Sequence, residues 1–215
     1  ARPICTVTPP HDITGRVIGP YRMAHPAAAK LQRMMVKSYE LLRDHPVNRE
    51  RAAKGLRPAN AIWLWGQGRR PRLQNFEERF GVKGVMVSAV DLLKGIGRLS
   101  GMTVCSIPGA TGYIDTDYEA KRDAALRELR AGRDLAYIHV EAPDECGHRG
   151  ETENKVRAIE DIDRRILTPL LAELGEMGEY AILIMPDHPT PLALRTHTAD
   201  PVPYLLYRSG QERDS

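Results

Sequence analysis

The chain has 215 residues, 27% of them charged, and a formal net charge of +3, which is long enough for one large domain with a real core. Its charges are dispersed rather than blocked, which argues against a polyanion-binding tail, a nucleic-acid groove or a membrane surface and points to a small-molecule partner. Cys5, Cys105 and Cys146 stand far apart in no paired spacing, against a disulfide framework and in favour of a reducing, cytoplasmic setting.

The first residues, "ARPICTVTPPHD", lack an initiator methionine, and the last, "VPYLLYRSGQERDS", stop soon after a strand-like run. The expectation is a piece of a longer protein, with residues 1–24 connecting to an upstream part and residues 25–215 forming the domain. No apolar run approaches the roughly 18 residues of a membrane span, and no signal peptide is evident. From Ala27 to Leu42, Leu31, Met34, Met35, Leu41 and Leu42 recur at helical spacing, predicting a helix that ends near His45-Pro46. A polar connector follows from Asn48 to Pro58. "AIWLW" reads as a buried strand halted by Gly66 and Gly68, Asn75 to Phe80 as a short helix, "KGVMVSAV" as the next strand and "DLLKGIGRL" as its helix.

"MTVCSI" is a third strand, closed by "PGATGYIDT"; Tyr118 to Leu129 is helical, and "DLAYIHV" is a fourth strand. A long helix from Thr152 to Leu174 carries Val156, Ile159, Ile162, Ile166, Leu170 and Leu174 on one face, with a bend expected at Pro169. "YAILIMP" closes the series. Strands alternating with helices predict an α/β fold, a mostly parallel sheet sandwiched by helices. In such sheets, sites assemble at the carboxyl ends of the strands.

Five residues just past strand ends have the character of metal ligands: Asp144, His148, Asp187, His188 and His197. Asp144 and His148 are four apart, so one helical turn or a tight loop aims both at one ion. Asp187 and His188 are adjacent, which in an extended backbone points them in opposite directions, towards two neighbouring ions or one ion and its bridge. Carboxylates and imidazoles without thiolate suit Mn²⁺, Zn²⁺ or Mg²⁺ at a hydrolytic or phosphoryl-transfer centre. The plainer reading of any one of them is a cap or a solvated loop residue; carboxylates gathered against buried strand ends need cations or hydrogen bonds to offset their burial. His139 inside "YIHV" reads as a core residue or one that orients a ligand, and His11, His25 and His45 as structural or surface residues.

The motifs "WLWGQG", "GVMVSAVDLLKGIG", "PGATGYIDTDYEAK", "HVEAPDECGH", "KVRAIEDID", "PDHPTP" and "RTHTADPVP" resemble the carboxyl-terminal part of the archaeal-type cofactor-independent phosphoglycerate mutases, a branch of the alkaline phosphatase superfamily. The resemblance runs from Thr8 to the last strand. It implies an incomplete alkaline phosphatase-like fold, two divalent ions (Mn²⁺, or Zn²⁺, Mg²⁺ or Co²⁺) and an isomerase of glycolysis and gluconeogenesis. Such an enzyme interconverts 3-phosphoglycerate and 2-phosphoglycerate through a phosphoserine, without a bisphosphoglycerate cofactor. By motif, Asp144, His148 and His197 are implied as ligands of one ion, and Asp187 and His188 of the other. The nucleophilic serine and a further aspartate are implied upstream of this chain, which alone is expected to be inactive.

Ser88, Ser100 and Ser106 accordingly read as structural. Lys94 is the first candidate to grip substrate, with a solvated helix lysine as the alternative. Arg69, Arg70 and Arg72 read as surface arginines. "PGATGY" is a phosphate-wrapping turn or only a turn, and Asp115, Asp117 and Lys121 line the cleft or, for Asp115 or Thr116, cap a helix. Two other readings stand beside the mutase: a phosphatase or phosphomutase of the same superfamily with another substrate, and a non-catalytic metal-binding domain.

Overall fold

The computed structural model describes residues 7–211, and the chain divides into two compact units, Ala1–Arg70 and Pro71–Ser215. Cys5 lies outside the described residues. The boundary at Arg70 falls deeper in the chain than the connecting segment expected over residues 1–24.

In the first unit, α1 (Ala29–Arg43) is followed by α2 (Pro46–Ala53). α2 replaces part of the polar connector expected over 48–58. The sequence signal was Pro46 at the first helical position behind a capping side chain, His45, whose Nδ1 accepts the Val47 N–H at 3.3 Å. His25 does the same for a short 3₁₀ turn, accepting from Ala27 N at 3.1 Å. "AIWLW" is not a strand: Trp63 and Leu64 pack against Met23, Ala28 and Met35, but the Ile62 N–H goes to Ser38 Oγ at 2.9 Å and the Trp63 indole to the Thr8 carbonyl at 2.9 Å. With no strand paired to it among the described residues, the run has its Ile62 backbone N–H satisfied by a side chain instead.

The second unit begins with α3 (Phe76–Phe80), capped by Asn75 and closed by Gly81 in the left-handed conformation (φ 67°). Three parallel strands follow, β1 (Gly84–Val87), β2 (Thr103–Val104) and β3 (Leu135–Ile138), in the order β2-β1-β3. Helix α4 (Asp91–Leu99) crosses from β1 to β2 and α5 (Tyr118–Arg130) from β2 to β3. Val85 and Val87 pack with Ala124 and Ala125 of α5. Met86 faces α4, where Gly97 allows an approach so close that an added Cβ would stand 3.0 Å from Met86 and from Val104. β1 is therefore buried on both faces, as its unbroken apolar run requires.

After β3 the chain forms α6 (Ala142–Arg149), α7 (Thr152–Asp161), a π-helical turn over Ile162–Leu167 and α8 (Thr168–Met177). The π turn corrects the expected single stripe. Val156 and Ile159 are exposed, whereas Ala158, Asp161, Ile166, Leu170 and Leu174 are buried, so the inward face steps by five residues between 161 and 166 rather than by three or four. The Arg165 carbonyl, four residues before Pro169, accepts Arg122 Nη1 at 3.0 Å in place of the N–H that proline lacks. The last strands, β4 (Ala181–Ile184) and β5 (Leu205–Arg208), form an antiparallel pair, with Ile182 packed on the same α5 and α8 leucines as Ile138. The unit is thus a mixed α/β fold with a parallel sheet flanked by helices, and both β3 and β4 end in segments bearing the five candidate ligands.

Candidate metal centre

Helix α6 starts three residues past β3. Pro143 sits in its first turn beside the acids Asp144 and Glu145, and His148 and Arg149 occupy its last turn, the charge order a helix dipole favours. The spacing of four is realised as one helical turn: His148 Nε2 lies 3.3 Å from Asp144 Oδ2. Past β4 the backbone bends at 187 and 188. The bend corrects the expectation that Asp187 and His188 diverge, because His188 Nε2 is 3.3 Å from Asp187 Oδ2, with the His188 N–H donating to Asp187 Oδ1 at 3.0 Å.

The two segments meet. His197 Nε2 is 3.3 Å from Asp144 Oδ1 and 3.0 Å from His148 Nε2. The His188 ring lies 3.7 Å from the His197 ring, centroid to centroid, and His188 Nδ1 is 4.0 Å from Asp144 Oδ1. Arg195, in left-handed backbone (φ 55°), accepts from His148 Nδ1 through its carbonyl at 2.9 Å. A carbonyl only accepts, so Nδ1 holds a proton and Nε2 is the nitrogen presented to Asp144 and His197. Thr190, 5% exposed, donates its hydroxyl to Asp144 Oδ1.

Asp144, His148 and His197 fit an ion in both spacing and chemistry. Their ligand atoms all lie within 4.8 Å of one another. His148 Nε2 and His197 Nε2 lie 3.0 Å apart and meet different oxygens of the Asp144 carboxylate, Oδ2 and Oδ1, each at 3.3 Å, so the carboxylate faces both rings. Two imidazoles and a carboxylate suit borderline divalent ions. Cys146, on the same helix, is fully buried and its thiol is pushed up by burial, so it belongs to the packing.

Other expectations resolve differently. His139 does not hydrogen-bond a candidate ligand; its Nδ1 lies 3.3 Å from Ser88 Oγ, and burial lowers its pKa against the opposing pull of Asp187. Ser88 is 1% exposed and accepts the Val90 N–H at 3.0 Å, a local turn role. Lys94 Nζ pairs with Asp91 Oδ1 at 3.2 Å on its own helix. Asp117, rather than Asp115 or Thr116, caps α5, accepting from Ala120 N at 2.8 Å. The turn at 108–113 uses its N–H groups internally: Thr111 N donates to Thr116 Oγ1 and Tyr113 N to Thr111 Oγ1. Lys121 is fully buried; its Nζ donates to the His139 carbonyl at 3.2 Å, and burial lowers its pKa to about 8, opposed by Glu141. Burial raises the Glu141 carboxyl, with the charges of Glu145 and Asp144 adding to it. Sequence reasoning gave no role to Thr190, Lys155 or Arg195; their spacing carries no signal, since two act through main-chain carbonyls.

A model of the Metalloenzyme superfamily matches residues 23–215. The chain is 50% identical over 210 residues to the probable 2,3-bisphosphoglycerate-independent phosphoglycerate mutase of Geobacter sulfurreducens, covering 98% of this chain and 52% of that protein. It is 48% identical over 203 residues to the 2,3-bisphosphoglycerate-independent phosphoglycerate mutase of Methanosarcina acetivorans, covering 94% and 51%. Among solved structures, the PH0037 protein from Pyrococcus horikoshii superposes with a TM-score of 0.64 at 32% identity over 84% of this chain and 48% of that one. The chain spans about half the length of the curated relatives it matches.

Proposed function

The chain belongs to the Metalloenzyme superfamily, and from that premise we propose that it supplies the ion-binding part of a 2,3-bisphosphoglycerate-independent phosphoglycerate mutase. The observation that carries the reading is the cluster of Asp144, His148 and His197, whose ligand atoms lie within 4.8 Å of one another, with a His148 proton held on the outer nitrogen by Arg195. The relatives are named as phosphoglycerate mutases, which supports phosphoglycerate as the substrate class. In this reading Asp144, His148 and His197 hold one divalent ion, and Asp187 and His188 offer two ligands for a second.

Divalent ions so placed would supply charge neutralisation at a phosphoryl group and a lowered pKa at a hydroxyl nucleophile. The chain's own residues prepare that chemistry. The Arg195 carbonyl keeps His148 Nε2 directed inward, and the Thr190 hydroxyl restrains the Asp144 carboxylate; both restraints lower the reorganisation needed on binding. The attacking serine and the remaining ligands of the second ion are expected outside this chain, whose residues 1–24 would connect to them. Lys94 is the candidate within this chain to grip glycerate.

The test has two arms. Isothermal titration with Mn²⁺ should show binding that His148→Ala and Asp144→Ala weaken by at least about 100-fold, the scale of losing a ligand from a three-ligand site; wild-type affinity in both variants would sink the metal assignment. The protein of relatives' length should form 2-phosphoglycerate from 3-phosphoglycerate with Mn²⁺. Turnover of other phosphomonoesters without that product would move the reading to another phosphomutase or phosphatase.

A further inference from the structure

The ligands of the first ion come from two segments far apart in sequence, α6 and the stretch from 187 to 197, and something must fix their separation before an ion arrives. At the junction stands Lys155, fourth residue of α7. Its Nζ donates to the Pro143 carbonyl at 3.1 Å and to the Thr190 carbonyl at 3.0 Å. Pro143 immediately precedes Asp144. Thr190 hydrogen-bonds Asp144 through its hydroxyl and lies 3.5 Å from His188 Nδ1, and the Thr198 N–H donates to the Pro189 carbonyl at 3.1 Å, tying the same segment to the residue beside His197.

Gly147 shows how tight this junction is. A Cβ there would stand 2.6 Å from the Thr190 carbonyl oxygen and 3.0 Å from Lys155 Nζ, so the helix and the loop meet with no room for the smallest side chain. An ammonium with three donors serves two carbonyls at once. A lysine in the first turn of a helix opposes the helix dipole, so the stability of α7 does not account for it.

We propose that Lys155 is a positioning residue for the ion site, holding α6 and the 187–197 segment in register through the Pro143 and Thr190 carbonyls. The inference rests on the metal reading above. It deepens that reading by assigning the spacing of the ligands to a side chain that ligates nothing.

The experiment compares wild type, Lys155→Met, His148→Ala and a control, Ser100→Ala. The control removes hydroxyl bonds to the Ile96 and Gly97 carbonyls at the far end of α4 and lowers stability without touching the junction. Lys155→Met should weaken Mn²⁺ binding by about 10- to 100-fold, the range for residues that support a ligand, while Ser100→Ala leaves it unchanged despite its lower metal-free Tm. In metal-free protein, Lys155→Met should also speed hydrogen exchange at the Thr198 amide by about tenfold or more relative to amides of β1, a local opening that general destabilisation would not single out. Should Lys155→Met not fold, Lys155→Gln, which reaches at most one carbonyl, is expected to show the same changes in smaller measure.

Wild-type affinity and Thr198 protection in the Lys155 variant, with binding still lost in His148→Ala, would overturn this inference alone. Unchanged binding in His148→Ala would overturn the metal reading and this inference with it. Equal weakening in Ser100→Ala would reduce Lys155 to a stabilising contact, again against the proposal.

Discussion

At the level of single residues, the largest electrostatic anomaly is Lys121, a buried ammonium whose pKa is lowered to about 8. The unfolded chain holds that proton up to the ordinary value near 10.5, so between about 8 and 10.5 the unfolded state binds more protons and stability rises with pH. Below pH 8 the penalty is present in full. Urea unfolding at pH 7.5 and 9.5 should therefore show wild type gaining roughly 1–2 kcal/mol relative to Lys121→Met, at 1.36 kcal/mol per pKa unit. The candidate ligands stood out in the sequence because each lies past a strand end; Thr190 and Lys155 did not, although both fall within the quoted motifs, because their contacts reach residues 12 or more positions away and leave no spacing pattern.

At the level of elements, α6 is a short helix whose composition is set by its neighbours. Alanine normally gains about 1 kcal/mol over glycine inside a helix, but at Gly147 the new Cβ meets a backbone oxygen at 2.6 Å. Gly147→Ala should accordingly lower stability by roughly 1–3 kcal/mol and weaken Mn²⁺ binding, both read in one thermal-shift titration. Removing the α5 cap in Asp117→Ala should cost about 1 kcal/mol while leaving Mn²⁺ affinity intact, which denaturant melts and calorimetry will separate. Helical periodicity located α1, α4, α5 and the 152–174 region. It misread the buried face of α7 because a π turn adds one residue to the phase, and only packing reveals that Asp161 and Ile166 share the inner side.

At the level of the whole molecule, ion binding and folding are linked. Mn²⁺ at 100 times its Kd should stabilise the protein by about 2.7 kcal/mol, raising its Tm, and chelation should reverse the shift; His148→Ala should show neither. The resemblance of the motifs already pointed to the superfamily, and the alternation of strands and helices to an α/β fold with candidate donors past its strand ends. Periodicity and turn signals indicated the alternation of strands and helices in the second unit, though not α6 as a helix, and residue type with placement past strand ends singled out the five candidate donors. Tertiary structure decided what they do together. The bend after Pro186 turned Asp187 and His188 to the same side, hydrogen bonds to Ser38 and Thr8 held the segment around Trp63 as irregular packing, and contact between α6 and a segment some forty residues later brought Asp144, His148 and His197 within 4.8 Å of one another. Such separations depend on backbones touching at Gly147 and on carbonyl partners, and a linear sequence records neither.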